Sequence, residues 1–197
     1  MTVVGTSSQP DSRGRKLREA LGAETGLKAA ERFDLVACDM LQDEACFARV
    51  IQETKPDYVI HTAAPFIAEV DLRDEKVASQ VASRTHKYHM ATKLLAKSAC
   101  AHHVRKVVMT GAATSVIGDH PRSEGTYHDS NEWASLKSVS RPNERAKLMA
   151  EKACWDEVLA WQGAHGSSAT RLTTILPYFL TGPPLYREAF NSSCQAI

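Results

Sequence analysis

The residues able to do chemistry gather directly after short apolar runs. Asp39 and Met40 follow residues 33–38 (FDLVAC), where a carboxylate can accept a hydrogen bond from a ligand amine. His61-Thr62-Ala63-Ala64-Pro65 follows a second run, and its small side chains let the backbone approach a ligand closely. Thr110-Gly111-Ala112-Ala113-Thr114-Ser115 follows a third (KVVMT), and Leu176-Pro177 and Gly182-Pro183-Pro184-Leu185 follow a fourth (RLTTIL). Lys147 stands in a helical stretch between the last two runs. His61, at a strand end, reads as a packed histidine rather than a catalyst. His86 and His89 lie three apart on one helical face, but no acidic or Cys partner stands at a matching distance, so no metal is expected.

These segments need elements to position them. Residues 33–38, 58–61, 106–110 and 171–176 are short, rich in β-branched side chains and strand-length. Helical patterns lie between them. Residues 15–21 make one, stopped near Gly22. Residues 44–54 make another, with Asp43 as N-cap and Pro56 beyond its end. In 77–100, Val77, Val81, Tyr88, Ala91, Leu95 and Ala99 share a face. In 142–161, Pro142 suits the first turn, and Ala146, Met149, Ala150, Ala153, Cys154 and Val158 form a stripe. Strand and helix in alternation predict an α/β fold, a doubly wound parallel sheet. Such sheets bind ligands beyond the carboxyl ends of their strands, where the segments above lie.

Composition excludes several classes. The 197 residues carry 24 Lys plus Arg against 23 Asp plus Glu, so no net charge draws the chain to nucleic acid or an anionic membrane. No apolar run is long enough to span a membrane, and no signal peptide is visible. Five scattered cysteines without a Cys-x-x-Cys pair predict reduced thiols in a cytoplasmic protein.

Six pieces in order, "VACDMLQDEACF", "DYVIHTAAPF", "VRKVVMTGAATSV", "NEW", "AKLMAEKACW" and "LPYFLTGPPL", resemble the extended short-chain dehydrogenase/reductase, or NAD-dependent epimerase/dehydratase, superfamily. The branch they resemble is the dihydroflavonol reductase, cinnamoyl-CoA reductase and 3β-hydroxysteroid dehydrogenase-like group. The resemblance implies a Rossmann-like sheet, NADP or NAD as cofactor, and hydride transfer to or from a carbonyl or alcohol of a small organic substrate. It implies cofactor contacts from Asp39, Met40, Ala63, Ala64, Pro65, Thr110, Lys147 and Pro177. In the family a Tyr acts as acid/base, a Lys four residues later binds the nicotinamide ribose, and a Ser holds the substrate oxygen.

The sequence departs from that pattern in three places. No Gly-x-x-Gly-x-x-Gly turn is present. The opening "VVGTSSQPDSRGRKLREALG" is similar to the family's second strand and its following loop, so the first strand and its Gly-rich turn are expected to be missing. Asn143 stands at the Tyr position, and an amide does not titrate near neutral pH. Ala112 stands at the Ser position, with Ser115 or Thr114 able to substitute only if the loop shifts. Ser8 occupies the place of an Arg that holds an NADP phosphate in some relatives, with Arg13, Arg15 and Lys16 nearby, so NAD and NADP both stay open. The expectation is one partial NAD(P)-binding domain over 1–197, its C-terminal substrate-binding region largely absent. Two functions compete: an oxidoreductase-like protein impaired in catalysis, and a non-catalytic remnant acting as a binding or interaction module. The strands flanking a missing one would have unpaired edges, so a homodimer through those edges is expected.

Overall fold

The structure, a computed structural model, describes residues 2–25, 31–65, 72–117, 133–166 and 169–177. The chain divides into two compact units, one holding residues 1–39 and 179–197 and the other residues 40–178.

The described part of the first unit is a strand–helix–strand motif. β1 (Val3–Ser7) leads through Ser8 and Gln9 into α1 (Pro10–Thr25), and the chain returns as β2 (Phe33–Ala37), parallel to β1 with Val3 opposite Phe33 and Ser7 opposite Ala37. Pro10 opens the helix where a missing N–H matters least. Gln9 N donates to Ser7 Oγ at 3.0 Å and so shapes the turn. α1 is longer than residues 15–21 because it runs through both Gly14 and Gly22. Gly14 is useful there: it lies directly over Leu35 of β2. Gly5 is tighter still, since any Cβ would stand 2.9 Å from Leu35 Cδ1 and 3.1 Å from the Phe33 ring.

The second unit is built on three parallel strands, β3 (Tyr58–His61), β4 (Lys106–Thr110) and β5 (Arg171–Ile175), in the order β3-β4-β5. Tyr58 lies opposite Lys106, and Lys106 opposite Arg171. Among the described residues this unit holds the helices α2 (Cys46–Thr54), α3 (Glu75–Ala101), the single turn α4 (Thr114–Ile117) and α5 (Pro142–His165). Alternation along the strands sorts the two sheet faces. His61, Val107, Met109 and Leu172 are buried, whereas Tyr58, Ile60 and Ile175 are exposed, Ile60 by 74%. The buried side belongs to α3 and α5, which pack on each other. Ala91, Ala96 and Ala99 on α3 and Ala146, Ala150 and Ala153 on α5 are buried, and residues this small let two long helices approach closely. α2 packs on α3 and buries Phe47 and Ile51.

Most boundaries follow the sequence pattern, and the exceptions have local causes. α2 begins at Cys46 rather than Glu44, with Ala45 at the cap. Asp43 is not the N-cap; its carboxylate accepts from Ala45 N at 2.9 Å and pairs with Arg49. α5 continues past Trp161 to His165, where the Trp161 and His165 rings stack at 3.8 Å and Gln162 Nε2 donates to Thr170 O. Met149 is only half-buried, while Leu148 and Glu151, outside the expected stripe, are buried. The expectation of reduced thiols is corrected: Cys38 and Cys46 are disulfide-bonded, and buried Cys100 and Cys154 are free. Among the described residues, β1 pairs only with β2 and β3 only with β4, and no helix is long and apolar enough to cross a membrane.

The two glycines of the first unit predict opposite outcomes. Gly5→Ala drives a methyl into Leu35 and Phe33 and lowers stability by about 1–3 kcal/mol. Gly14→Ala meets Leu35 at ordinary contact distance in mid-helix and raises stability by about 0.5–1 kcal/mol. Urea denaturation of each variant measures both.

Candidate functional site

The parallel pairing of β4 and β5 persists past the strand ends. Gly111 N donates to Ile175 O at 2.9 Å, and Ala113 N to Pro177 O at 3.1 Å. The residues expected at these two strand ends, Thr110, Ala112 and Pro177, are therefore brought together. Ser115 N then turns back to Ala112 O, starting α4, and Ala134 N donates to Ser115 O at 2.8 Å. Ala134 joins Val139 and Leu148 in a small apolar cluster with Trp133 packed against it, which ties this loop to α5. Lys152 lies over the Trp133 ring at 5.4 Å.

α5 carries Asn143, Lys147 and Glu151 at successive four-residue steps, hence on one side of the helix. Asn143 and Lys147 are half-buried. Glu151 is 2% exposed, and its carboxyl lies where a side chain on Gly111 would be: a Cβ there would stand 2.6 Å from Glu151 Oε2. The side of α5 that bears Lys147 is thus the side that meets the carboxyl end of β4. Ala112 is buried, and so is the Ser115 side chain, at 0% exposure. A hydroxyl in that position does not present itself to a ligand, so Ser115 does not replace the absent serine without movement of the loop.

At the end of β3, Ala63 and Ala64 are half-buried and Pro65 is buried. His61 is a packing residue, as its position suggested. Its ring meets Phe47 edge-on at 5.2 Å, its Nε2 lies 3.4 Å from Thr92 Oγ1, and burial lowers its pKa to about 4. Asp39 and Met40 follow β2 and are half-buried. Tyr127, Tyr178 and the 182–185 segment lie outside the described residues.

Sequence reasoning missed the buried polar group behind this loop. Among the described residues, Tyr88 OH, Thr114 Oγ1, Ser115 Oγ and Glu151 Oε2 are buried with no partner at full hydrogen-bond geometry, although the Ser115 and Thr174 hydroxyls lie near the Glu151 carboxyl. Desolvation raises the Glu151 pKa, with the Thr174 and Ser115 hydroxyls opposing the shift. Burial, then the nearby Cys154 and Glu151, raise that of Tyr88, so its phenol stays protonated. Burial also pushes the Cys154 thiol up to about 12. The available signal was Glu151 falling four residues after Lys147, on a face whose neighbours Ala150 and Cys154 are apolar.

Small side chains at Ala63, Ala64 and Gly111 to Ala113 leave the backbone approachable, which suits the nicotinamide end of a dinucleotide. In the smaller unit the turn after β1, similar to the loop after the family's second strand, has no glycine at Ser8 or Gln9, and Pro10 brings no N–H to the start of α1.

The profile of the NAD dependent epimerase/dehydratase family matches residues 1–183, and the chain belongs to that family. Solved structures similar to it include UDP-glucose-4-epimerase from Stenotrophomonas maltophila with bound NAD (21% identity, TM-score 0.58, 91% of this chain and 46% of that one). UDP-glucose 4-epimerase from Thermotoga maritima is another (14%, 0.56, 93% and 57%). GDP-L-fucose synthetase from Naegleria fowleri bound to NADP is a third (15%, 0.54, 92% and 51%). At such identities the similarity concerns the fold: parallel sheets with helices, Rossmann-like. The chain spans about half the length of these proteins. No curated protein matches it.

Two buried groups set opposite pH limits on stability. His61 has its pKa lowered on folding, so stability is lost as pH falls from about 6.5 toward 4, by up to about 3 kcal/mol. Glu151 has its pKa raised, so its contribution is present below about pH 4.5 and is lost as pH rises through the folded value. Denaturation between pH 5 and 8 should show His61→Leu flattening the acid limb. Glu151→Gln should raise stability at pH 7.5 and change it little near pH 5.

Proposed function

We propose that this chain is an NAD(P)-dependent oxidoreductase-like protein of its family, impaired in hydride transfer. The observation that carries this is the face of α5. Lys147 stands one turn from Glu151, whose carboxyl is seated at Gly111, which supports a role for Lys147 near the carboxyl end of β4. Asn143, one turn further, is an amide where a proton donor is needed. When bound, the nicotinamide would supply or accept the hydride. Lys147 would hold its ribose, with Asp39, Met40, Ala63, Ala64, Pro65, Thr110 and Pro177 as the other proposed contacts. Asn143 cannot deliver a proton to a carbonyl oxygen, and the methyl of Ala112 can neither deliver one nor hold that oxygen in place.

Weak binding of NADP or NAD is proposed because the 197 residues contain no Gly-x-x-Gly-x-x-Gly turn. A second reading, a binding or interaction module without catalysis, is favoured by the same Asn143 and Ala112. The dihydroflavonol and cinnamoyl-CoA reductase-like branch is part of the proposal, resting on the six sequence segments alone. So is a single partial NAD(P)-binding domain over 1–197. We also propose a homodimer through sheet edges, supported by the single partners of β1 and β3 and by the exposure of Ile60. A cytoplasmic location is proposed as well, and the disulfide-bonded Cys38 and Cys46 weigh against it.

Calorimetry with NADPH and NADH tests the binding half of the reading. Dissociation constants well above micromolar are expected, weakened at least fivefold by Lys147→Met. A micromolar constant, or one indifferent to Lys147→Met, contradicts it. For catalysis, Asn143→Tyr with Ala112→Ser is expected to raise aldehyde or ketone reduction above that of the unmodified chain. Reduction by the unmodified chain at an ordinary enzyme rate would show that the acid/base position is wrong.

A further inference from the structure

His86 and His89, which the proposed oxidoreductase site does not use, line a groove of about 660 Å³ between the amino-terminal halves of α3 and α5. This is within the range of small-molecule sites. Its wall is mostly apolar, with Val81 and Met90 from α3 and Met149 from α5. Neither Asn143 nor Lys147 contributes to the wall, so the groove is separate from the site above.

The polar members of the wall are Arg145, His86, His89 and the hydroxyl residues Thr85 and Ser140. Arg145 faces the groove with His86 and His89, and among the described residues the lining contains no carboxylate. Arg145 is held in place: its Nη1 donates to Leu136 O and to Val139 O. These backbone carbonyls fix the guanidinium without neutralising it, leaving its other nitrogens for a ligand. His89 Nδ1 lies 3.3 Å from Met149 O, so it is the donating nitrogen, and Nε2 is left for the groove. Pro142, the first residue of the 24-residue α5, also lines the groove, and Arg141 before it makes no side-chain capping bond. The positive end of that helix dipole adds to the field at the same place.

We propose that this groove binds an organic monocarboxylate with an apolar body, the carboxylate against Arg145 and His86 and the body along Val81, Met90 and Met149. A phosphate-sized anion alone would leave the apolar wall wet, and a neutral apolar ligand would leave the guanidinium facing hydrocarbon. Both halves of the wall are satisfied together only by an amphipathic anion.

Decanoate and decan-1-ol, titrated into the full chain by calorimetry, separate the two halves. Saturable decanoate binding at least about tenfold tighter than decan-1-ol is expected. Arg145→Gln should remove most of that preference, and near-ultraviolet circular dichroism reports whether the fold survives the loss of its carbonyl contacts. His86→Ala, at an exposed position, gives an independent reduction without disturbing the core. Ala82→Trp, which fills the groove from an exposed position on α3, should abolish binding. Equal affinity for the alcohol would overturn the proposal, as would binding indifferent to Ala82→Trp. So would absence of binding accompanied by a dimer that Ala82→Trp dissociates, because a second copy would then be what covers the groove.

Discussion

Glu151 reaches the backbone of Gly111 because glycine leaves that volume empty, and this close approach fixes α5 against the end of β4. The carboxyl occupies the space a Cβ would take and remains almost wholly buried, beside the hydroxyls of Ser115 and Thr174. An ionised carboxylate in such a place would be expensive to keep, so the group is held toward its neutral form by desolvation. Four residues earlier on the same side, Lys147 inherits its position from that contact. The small residues shared by α3 and α5 serve the same end, since they let the two helices lie together under one face of the three-stranded sheet.

The site that results is built in part. A lysine, small residues at the strand ends and a glycine for close approach are all placed by the backbone of the larger unit. A phenol is not: Tyr88 is buried beside the His61 ring, 6.2 Å away, and keeps its proton. The hydroxyl of Ser115 faces inward. In the smaller unit the turn after β1 is shaped by the Gln9 backbone N–H donating to Ser7 Oγ.

Much of this was legible in the sequence. Tyr58–His61 and Lys106–Thr110 were read to the residue because β-branched runs between turn residues have few alternatives. The long helices were found from their periodicity, with ends displaced where pairing rather than propensity decides, as at Trp161 and His165. Asn143 and Ala112 were visible as substitutions because spacing from Lys147 and from β4 is local. Glu151 was not found. A charged residue in a helix reads as solvated, and only the tertiary fact that it meets a glycine on another element buries it. The disulfide-bonded state of Cys38 and Cys46 was likewise hidden, because no Cys-x-x-Cys spacing announces it.

The seat of Glu151 on Gly111 is tested most directly by a double-mutant cycle on unfolding free energy. Gly111→Ala, Glu151→Ala and the pair together would each be measured by denaturation at one pH. A Cβ at Gly111 would also stand 2.8 Å from Leu176 Cδ2, so the account predicts that Gly111→Ala is destabilising by about 1–3 kcal/mol in the presence of Glu151 and less, though still destabilising, in its absence, a coupling of about 1 kcal/mol. Two effects that simply add, within about 0.5 kcal/mol, would contradict it.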